Sequence, residues 1–116
     1  MTVTPEPYTG AVVFTKTDEN GQPLPNANFA TYAVYPSDTS TTAVATATSG
    51  TDGVVRLNLA AGTYYMKETA APNGYVTDTT VYKIVVSGRG SSITRADDTS
   101  ETPTAVTSIT NYPSSA

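Results

Sequence analysis

Residues 62–75, which read GTYYMKETAAPNGY, constrain the fold most because they contain a complete strand between two turns. The stretch opens on a glycine, alternates between two faces and stops at a Pro-Asn-Gly turn. Successive side chains of a strand point to opposite faces, so Tyr64, Met66 and Glu68 share one face. That face is apolar except for Glu68. A buried carboxylate is costly unless it is paired, hydrogen-bonded or neutral, so the pattern predicts a partner for Glu68.

Two further strand-like segments carry a polar residue on an apolar face. In AVVFTKT, near the start of the chain, Lys16 lies on the face of Phe14. In VTSITNY, near the end, Asn111 lies on the face of Ile109. We therefore expect an amine, a carboxylate and an amide to meet in the core, contributed by Lys16, Glu68 and Asn111.

The remaining sequence reads as short strands between turns, and no segment keeps a helical period. Glycine, proline, asparagine and aspartate separate strands predicted at 10–17, 28–35, 54–59, 63–69, 81–86 and 105–112. The Ser/Thr/Ala-rich residues 37–51 fit either a weak edge strand or a loop. Residues 87–103 are predicted to form a long polar connection. This pattern predicts an all-β sandwich.

The chain of 116 residues fits one domain, predicted over 10–112 with a leader at 1–9 and a tail at 113–116. The apolar share of 38% predicts a thin core, for which a covalent constraint would be useful. No apolar run reaches the length of a membrane span, so we expect no membrane insertion. The N-terminal MTVTPEPYTG lacks the parts of a signal peptide, which fits either a cytosolic protein or a domain cut from a longer precursor.

Histidine and cysteine are both absent, which excludes disulfides, thiolate nucleophiles, imidazole bases and most zinc sites. The net charge is -4 and the six lysines and arginines are spread singly, so no nucleic-acid surface is expected. The acids Asp97, Asp98 and Glu101 match no calcium-loop spacing and are interpreted as a solvated cluster. We expect neither a metal nor a cofactor.

The predicted cluster has the groups needed to form an amide bond between two side chains. A lysine amine with a pKa of about 10.4 is protonated in water, but burial beside Val12 and Phe14 would lower it and favour the nucleophilic form. A buried Glu68 can be a neutral acid that polarises the Asn111 amide and moves protons to the leaving ammonia. The reaction would occur once per molecule, so the protein would not be an enzyme in the turnover sense.

Four segments, VVFTKTD, NGQPLPNANF, TDGVVRLNLAAGTYYMKETAAPNGY and ITNYP, resemble the Cna B-type (prealbumin-like) domains of Gram-positive surface adhesins and sortase-assembled pilins. The resemblance covers about residues 10–112. It implies a Greek-key, immunoglobulin-like β-sandwich. It also implies an isopeptide bond between Lys16 and Asn111, with Glu68 as the catalytic acid.

The resemblance further implies a structural stalk or pilin-type module at the cell surface, anchored to the cell wall through other parts of a parent protein. Its partners would be neighbouring domains or pilus subunits, and a host extracellular ligand is a further candidate. The isolated domain is expected to be a monomer.

Each site residue also has a plainer interpretation. Lys16 would extend its amine to the sheet edge, Glu68 would pair with a surface cation, and Asn111 would be a turn residue before Pro113. Asn28 and Asn58 are competing amide donors, although Asn58 has the outward parity.

Two other function classes remain open at this point. A hydrolase on a transthyretin-like fold would have to rely on carboxylates or hydroxyls, and no serine or aspartate lies in a recognisable nucleophile motif. A ligand-binding adhesin domain would recognise a host protein or glycan through an exposed aromatic surface. The tyrosines expected on that surface are Tyr32, Tyr35, Tyr65 and Tyr75.

Overall fold

The computed structural model describes residues 8–24, 31–88 and 90–114. Within these ranges the chain forms eight strands and no helix. The strands are β1 (Thr9–Thr17), β2 (Thr31–Tyr35), β3 (Ala45–Thr48), β4 (Val54–Ala60), β5 (Gly62–Ala70), β6 (Tyr82–Ser87), β7 (Gly90–Arg95) and β8 (Ser108–Thr110). None of the described residues belongs to a helix long and apolar enough to cross a membrane.

The strands form two sheets. One has the order β4-β1-β8 and the other the order β3-β2-β5-β6-β7. In the smaller sheet β1 is central, antiparallel to β4 and parallel to β8, so the first and last described strands are neighbours. The predicted all-β sandwich is confirmed, with strand neighbours that are often not consecutive along the chain.

The core lies between the sheets, where the period of two directs alternate side chains inward. The β1 strand buries Val12, Phe14 and Lys16 while its alternate residues are more exposed, and β4 and β6 show the same alternation. The ring of Phe14 meets that of Tyr32 from the facing sheet edge-on, with centroids 5.1 Å apart. The Tyr32 ring thus packs between Phe14 and the amine of Lys16.

The prediction of a long polar connection at 87–103 is wrong, because β7 lies within it. This strand pairs antiparallel with β6 at the end of the larger sheet. Ile93 is buried while Ser91 and Ser92 are exposed, so a single apolar side chain marks the inner face. Such an edge strand lacks the repeated apolar alternation that makes a strand recognisable from sequence.

The last predicted strand, 105–112, is longer than the observed one, which covers only Ser108–Thr110. It is a parallel edge strand that pairs with the C-terminal end of β1, where the ladder is short. The undecided segment 37–51 contains β3 at Ala45–Thr48 and irregular structure before it. The predicted strand at 28–35 is observed as Thr31–Tyr35, and its first residues lie outside the described ranges.

Candidate functional site

Lys16 lies at the buried end of β1, where none of its surface is exposed. Its backbone is held on both sides, since its N–H donates to Gly53 O at 2.7 Å and its carbonyl accepts from Leu24 N at 2.9 Å. In the parallel ladder it stands opposite Ile109, and its Nζ donates to Ile109 O at 3.0 Å. The amine is therefore directed into the core rather than to the sheet edge.

Asn111 follows β8 directly and is only 1% exposed. Its backbone N–H donates to Thr17 O at 3.0 Å, which extends the strand geometry beyond the assigned end of β8. The side-chain Nδ2 donates to Glu68 Oε1 at 2.9 Å and to Val76 O at 3.0 Å. The parity that places Asn111 on the inner face thus holds although the strand is shorter than predicted.

Glu68 reaches the same point from β5 in the facing sheet. Its Oε1 accepts from Asn111 Nδ2 and also from Asp78 N at 2.7 Å, and its Oε2 lies 3.7 Å from Lys16 Nζ. The β2–β5 ladder shifts register beside it, between Thr31 and Tyr32. A register shift of this kind changes which side chains of the two strands stand opposite each other.

Burial controls the charge of the amine. Desolvation lowers the pKa of Lys16 from its ordinary value of 10.5, and the nearby carboxylates of Glu68 and Asp78 oppose this shift only in part. A neutral amine is thus more accessible here than on a surface lysine. Moving one proton from Lys16 to Glu68 converts the ion pair into a nucleophile and an acid without changing the total charge.

The plainer interpretations of Lys16 and Glu68 do not describe this site. Lys16 does not reach solvent, and Glu68 faces Lys16 rather than a surface cation. Of the surface cations, Arg56 pairs with Asp52 at 2.8 Å and Lys67 lies over the ring of Tyr35, 5.4 Å from its centroid. The competing amide Asn58 is exposed, and Asn28 lies outside the described residues.

Sequence reasoning missed Asp78, which lies in the connection between β5 and β6. Its backbone N–H holds Glu68, while its carboxylate accepts from Thr80 N at 3.0 Å and from Tyr82 Oη at 2.6 Å. The Asp-x-Thr spacing is a turn signal that marks this segment, but it does not reveal which side chain the turn will cover.

The assignment of Tyr32 to an exposed aromatic surface is wrong. The residue is fully buried between the sheets because it shares the inward parity of Val34 on β2. That parity was readable from the sequence and could have placed Tyr32 in the core. Tyr35 and Tyr65 are half-buried and paired across β2 and β5, while Tyr75 lies apart, in a bridge to Pro113. The four tyrosines therefore do not form one surface.

The acidic segment after β7 is engaged locally. Asp97 accepts from Arg95 Nε at 3.0 Å, and Asp98 accepts from Ser100 Oγ at 2.7 Å and from Thr104 N at 3.0 Å. Across residues 8–24, 31–88 and 90–114, no group of three acids, histidines or cysteines is arranged to hold a metal ion.

Comparisons with known proteins agree with this architecture. The family model described as the SpaA prealbumin-like fold domain matches residues 10–100. Among curated proteins, none matches the chain.

Three solved structures illustrate the similarity. The first is the Bacillus anthracis TIE protein, which is 24% identical over 90% of the chain with a TM-score of 0.67. A variant of BcpA, the major pilin subunit of Bacillus cereus, is 29% identical over 90% with a TM-score of 0.62. A streptococcal ancillary pilin is 26% identical over 93% with a TM-score of 0.62. The chain spans only 17%, 29% and 30% of these proteins, respectively.

Proposed function

The chain belongs to the SpaA family of prealbumin-like fold domains, and from this premise we propose that it is a structural stalk or pilin-type module of a bacterial surface adhesin or pilus. In this proposal a spontaneous isopeptide bond between Lys16 and Asn111, promoted by Glu68, stabilises the module. Two of the similar structures are pilins, which supports the assignment to a pilus or adhesin.

One observation carries the chemical part of the proposal. A single buried carboxyl group, that of Glu68, contacts the Asn111 amide through one oxygen and faces the Lys16 amine through the other. A group in this position can move a proton from the nucleophile to the leaving group. The fold holds the reacting side chains together, so the reaction is effectively unimolecular.

The bond-forming steps balance without any further reactant. Lys16 Nζ first gives a proton to Glu68, and the neutral amine attacks Cγ of Asn111 to form a tetrahedral intermediate. Glu68 then protonates Nδ2 and takes up the second proton of the amine, after which the Cγ–Nδ2 bond breaks and ammonia leaves, with Glu68 left in its protonated form. The product is a secondary amide between Nζ and Cγ. The reaction runs once per chain, so the protein acts as its own substrate and not as a turnover enzyme.

Such a bond would shield most of the domain from tension. It closes a loop of about 95 residues, for which the chain-entropy account gives a stabilisation on the order of 4.5 kcal/mol. A force applied at the two ends passes along β1, through the bond and out beyond Asn111. The enclosed residues carry no load, which is the property that a stalk requires.

The cell surface is the location that fits this function, with attachment through parts of a parent protein outside this sequence. Neighbouring domains or pilus subunits of the same surface protein would be its partners. We also propose that the isolated domain is a monomer, which sedimentation over a range of concentrations would test.

Stretching single molecules by their ends tests the stalk function. The bond shields the residues from 17 to 110, so the parent should lengthen far less than a Lys16→Ala variant. The difference in extension should be about 3.4 Å for each shielded residue. The Glu68→Gln variant should extend like Lys16→Ala. Equal extension of the parent and both variants would overturn the proposal.

A second candidate function rests on the outer face of the larger sheet. Tyr35 and Tyr65 are paired there, Lys67 lies over the Tyr35 ring, and Lys83 stands opposite Tyr65. Two aromatic rings beside two cations could bind an anionic glycan or a host protein. A glycan array compared with a Tyr65→Ala, Lys67→Ala double variant tests this function, and no binding by the parent would remove it.

A further inference from the structure

Three buried polar atoms beside the proposed cross-link have no hydrogen-bond partner within the described part of the chain. They are Tyr32 Oη, Glu68 Oε2 and Asn111 Oδ1. A tyrosine hydroxyl can donate, whereas a carboxylate oxygen and an amide oxygen can only accept. A buried hydroxyl without a hydrogen-bond partner costs free energy, and phenylalanine would fill the core at position 32 without that cost. The hydroxyl of Tyr32 therefore requires an explanation other than packing.

The strand register places Tyr32 next to the reacting groups. It stands directly opposite Glu68 in the β2–β5 ladder, so the two side chains leave neighbouring strands on the same inward face. The ring also lies under the amine, with Lys16 Nζ 5.7 Å from its centroid. One tyrosine thus borders both the proposed acid and the proposed nucleophile.

We propose that Tyr32 is a positioning residue for bond formation, whose hydroxyl donates a hydrogen bond to Glu68 Oε2 and holds that oxygen toward Lys16. This inference rests on the proposed function. Oε1 of Glu68 is already held by Asn111 Nδ2 and Asp78 N, so a donor at Oε2 would fix the orientation of the whole carboxyl group. Hydrogen bonds of this kind are often long before the reaction and tighten as it proceeds.

The surroundings keep the hydroxyl in its donating form. Burial, reinforced by the negative charge of Glu68, raises the pKa of Tyr32 well above its ordinary value, so the proton stays on the oxygen. The other groups that face Glu68 are Lys16 from β1 and Asp78 from the β5–β6 connection, and Asp78 is itself bonded to Tyr82. None of these others offers a neutral hydroxyl to Oε2.

The rate of bond formation as a function of pH tests the proposal. The protein is made in a short cell-free pulse and shifted to buffers of different pH. Acid then stops the reaction, and loss of one ammonia is followed by intact mass. The reactive state shares one proton between Lys16 and Glu68, so the rate should fall at low pH when the carboxylate is protonated as well. A donor at Oε2 stabilises the carboxylate and opposes that loss.

In Tyr32→Phe we expect bond formation to slow by about tenfold or more, because Glu68 Oε2 is no longer held in the position that takes the proton from Lys16. The acidic limb of the rate profile should also move to higher pH, because the carboxylate has lost a hydrogen-bond donor. A role in packing alone would not move this limb. Incorporation of difluorotyrosine at position 32, which makes the hydroxyl a stronger donor, should move the limb the other way and serves if Tyr32→Phe does not fold.

Tyr64→Phe is the matched control, because Tyr64 lies on the same strand as Glu68 but its hydroxyl donates to Ala60 O at 2.6 Å. Its rate of bond formation and the acidic limb of its pH profile should equal those of the parent. If the parent loses ammonia and Tyr32→Phe keeps the parent rate and limb, the role of Tyr32 is refuted while the proposed function stands. A parent that never loses ammonia refutes the proposed function, and the role of Tyr32 with it.

Discussion

The Lys16–Glu68 pair is buried and has a longer N···O distance than the Arg56–Asp52 ion pair at the surface. Arg56 and Asp52 approach to 2.8 Å, but their side chains are 60% and 52% exposed. Lys16 and Glu68 are separated by 3.7 Å, yet neither side chain is exposed. The better geometry is at the surface, where water and salt screen the interaction. The longer Lys16–Glu68 contact is buried, and burial favours the neutral amine that can react. We therefore expect bond formation at the buried pair and not at the surface pair.

The largest effect is expected from Glu68→Gln, which keeps the shape of the side chain but removes the acid. The variant should retain its full mass, because no ammonia is released. It should lose on the order of 4–5 kcal/mol of unfolding free energy, as the loop is no longer closed and the buried Lys16 loses its nearest counter-charge. Denaturant unfolding measures the loss. An unchanged midpoint would mean that the buried pair is no more important than the surface pairs.

Lys16→Met separates the bond from the buried charge. It also prevents the cross-link, but it places an apolar side chain of similar length among Val12, Phe14 and Ile109. It should therefore be less destabilised than Glu68→Gln, by about 1–3 kcal/mol, because the remaining Glu68 carboxylate keeps two hydrogen-bond donors, Asn111 Nδ2 and Asp78 N. The same unfolding measurement compares them. A Lys16→Met variant less stable than Glu68→Gln would contradict the account.

A smaller effect is expected in the pH dependence of Asn111→Ala, which keeps Lys16 as a free amine. Burial lowers the pKa of Lys16 in the folded state, so the unfolded chain binds more protons between that lowered value and 10.5. The free energy of unfolding of the variant should therefore rise with pH through this window. The cross-linked parent has no amine to titrate at position 16. Unfolding at about pH 7 and pH 9 should give a steeper rise for the variant, and parallel curves would refute this.

The smallest effect is expected at the surface pair. Arg56→Gln removes a cation that contacts Asp52 in solvent, where the ion pair contributes little. The unfolding midpoint should match that of the parent, and ammonia loss should be complete. A shift of the unfolding midpoint as large as that of Glu68→Gln would mean that the surface pair stabilises the fold as much as the buried pair does.

The parts of this site that were predictable from sequence are those that depend on local alternation. The period of two placed Lys16, Glu68 and Asn111 on inner faces because it needs no knowledge of which strands pair. Their meeting point in the fold depends on the parallel pairing of β1 with β8 and on the stacking of two sheets. Shared inward parity suggested from the sequence that the three side chains meet, and the family resemblance implied the same.

The parts that could not be predicted depend on register between distant strands. The opposition of Tyr32 and Glu68 follows a register shift in the β2–β5 ladder, and no short-range pattern encodes it. Asp78 reaches Glu68 through its backbone N–H, which every residue except proline possesses. The edge strand β7 offers a single buried Ile93 as a signal. Each of these features became visible only with the chain folded.

Tandem mass spectrometry of a protease digest would detect the bond between Lys16 and Asn111 itself. The purified parent is digested with a protease, and the fragments that contain Lys16 and Asn111 are sequenced. We expect one branched peptide that joins the two residues and weighs one ammonia less than the sum of its linear parts. Two separate linear peptides of full mass, recovered from a folded parent, would contradict it.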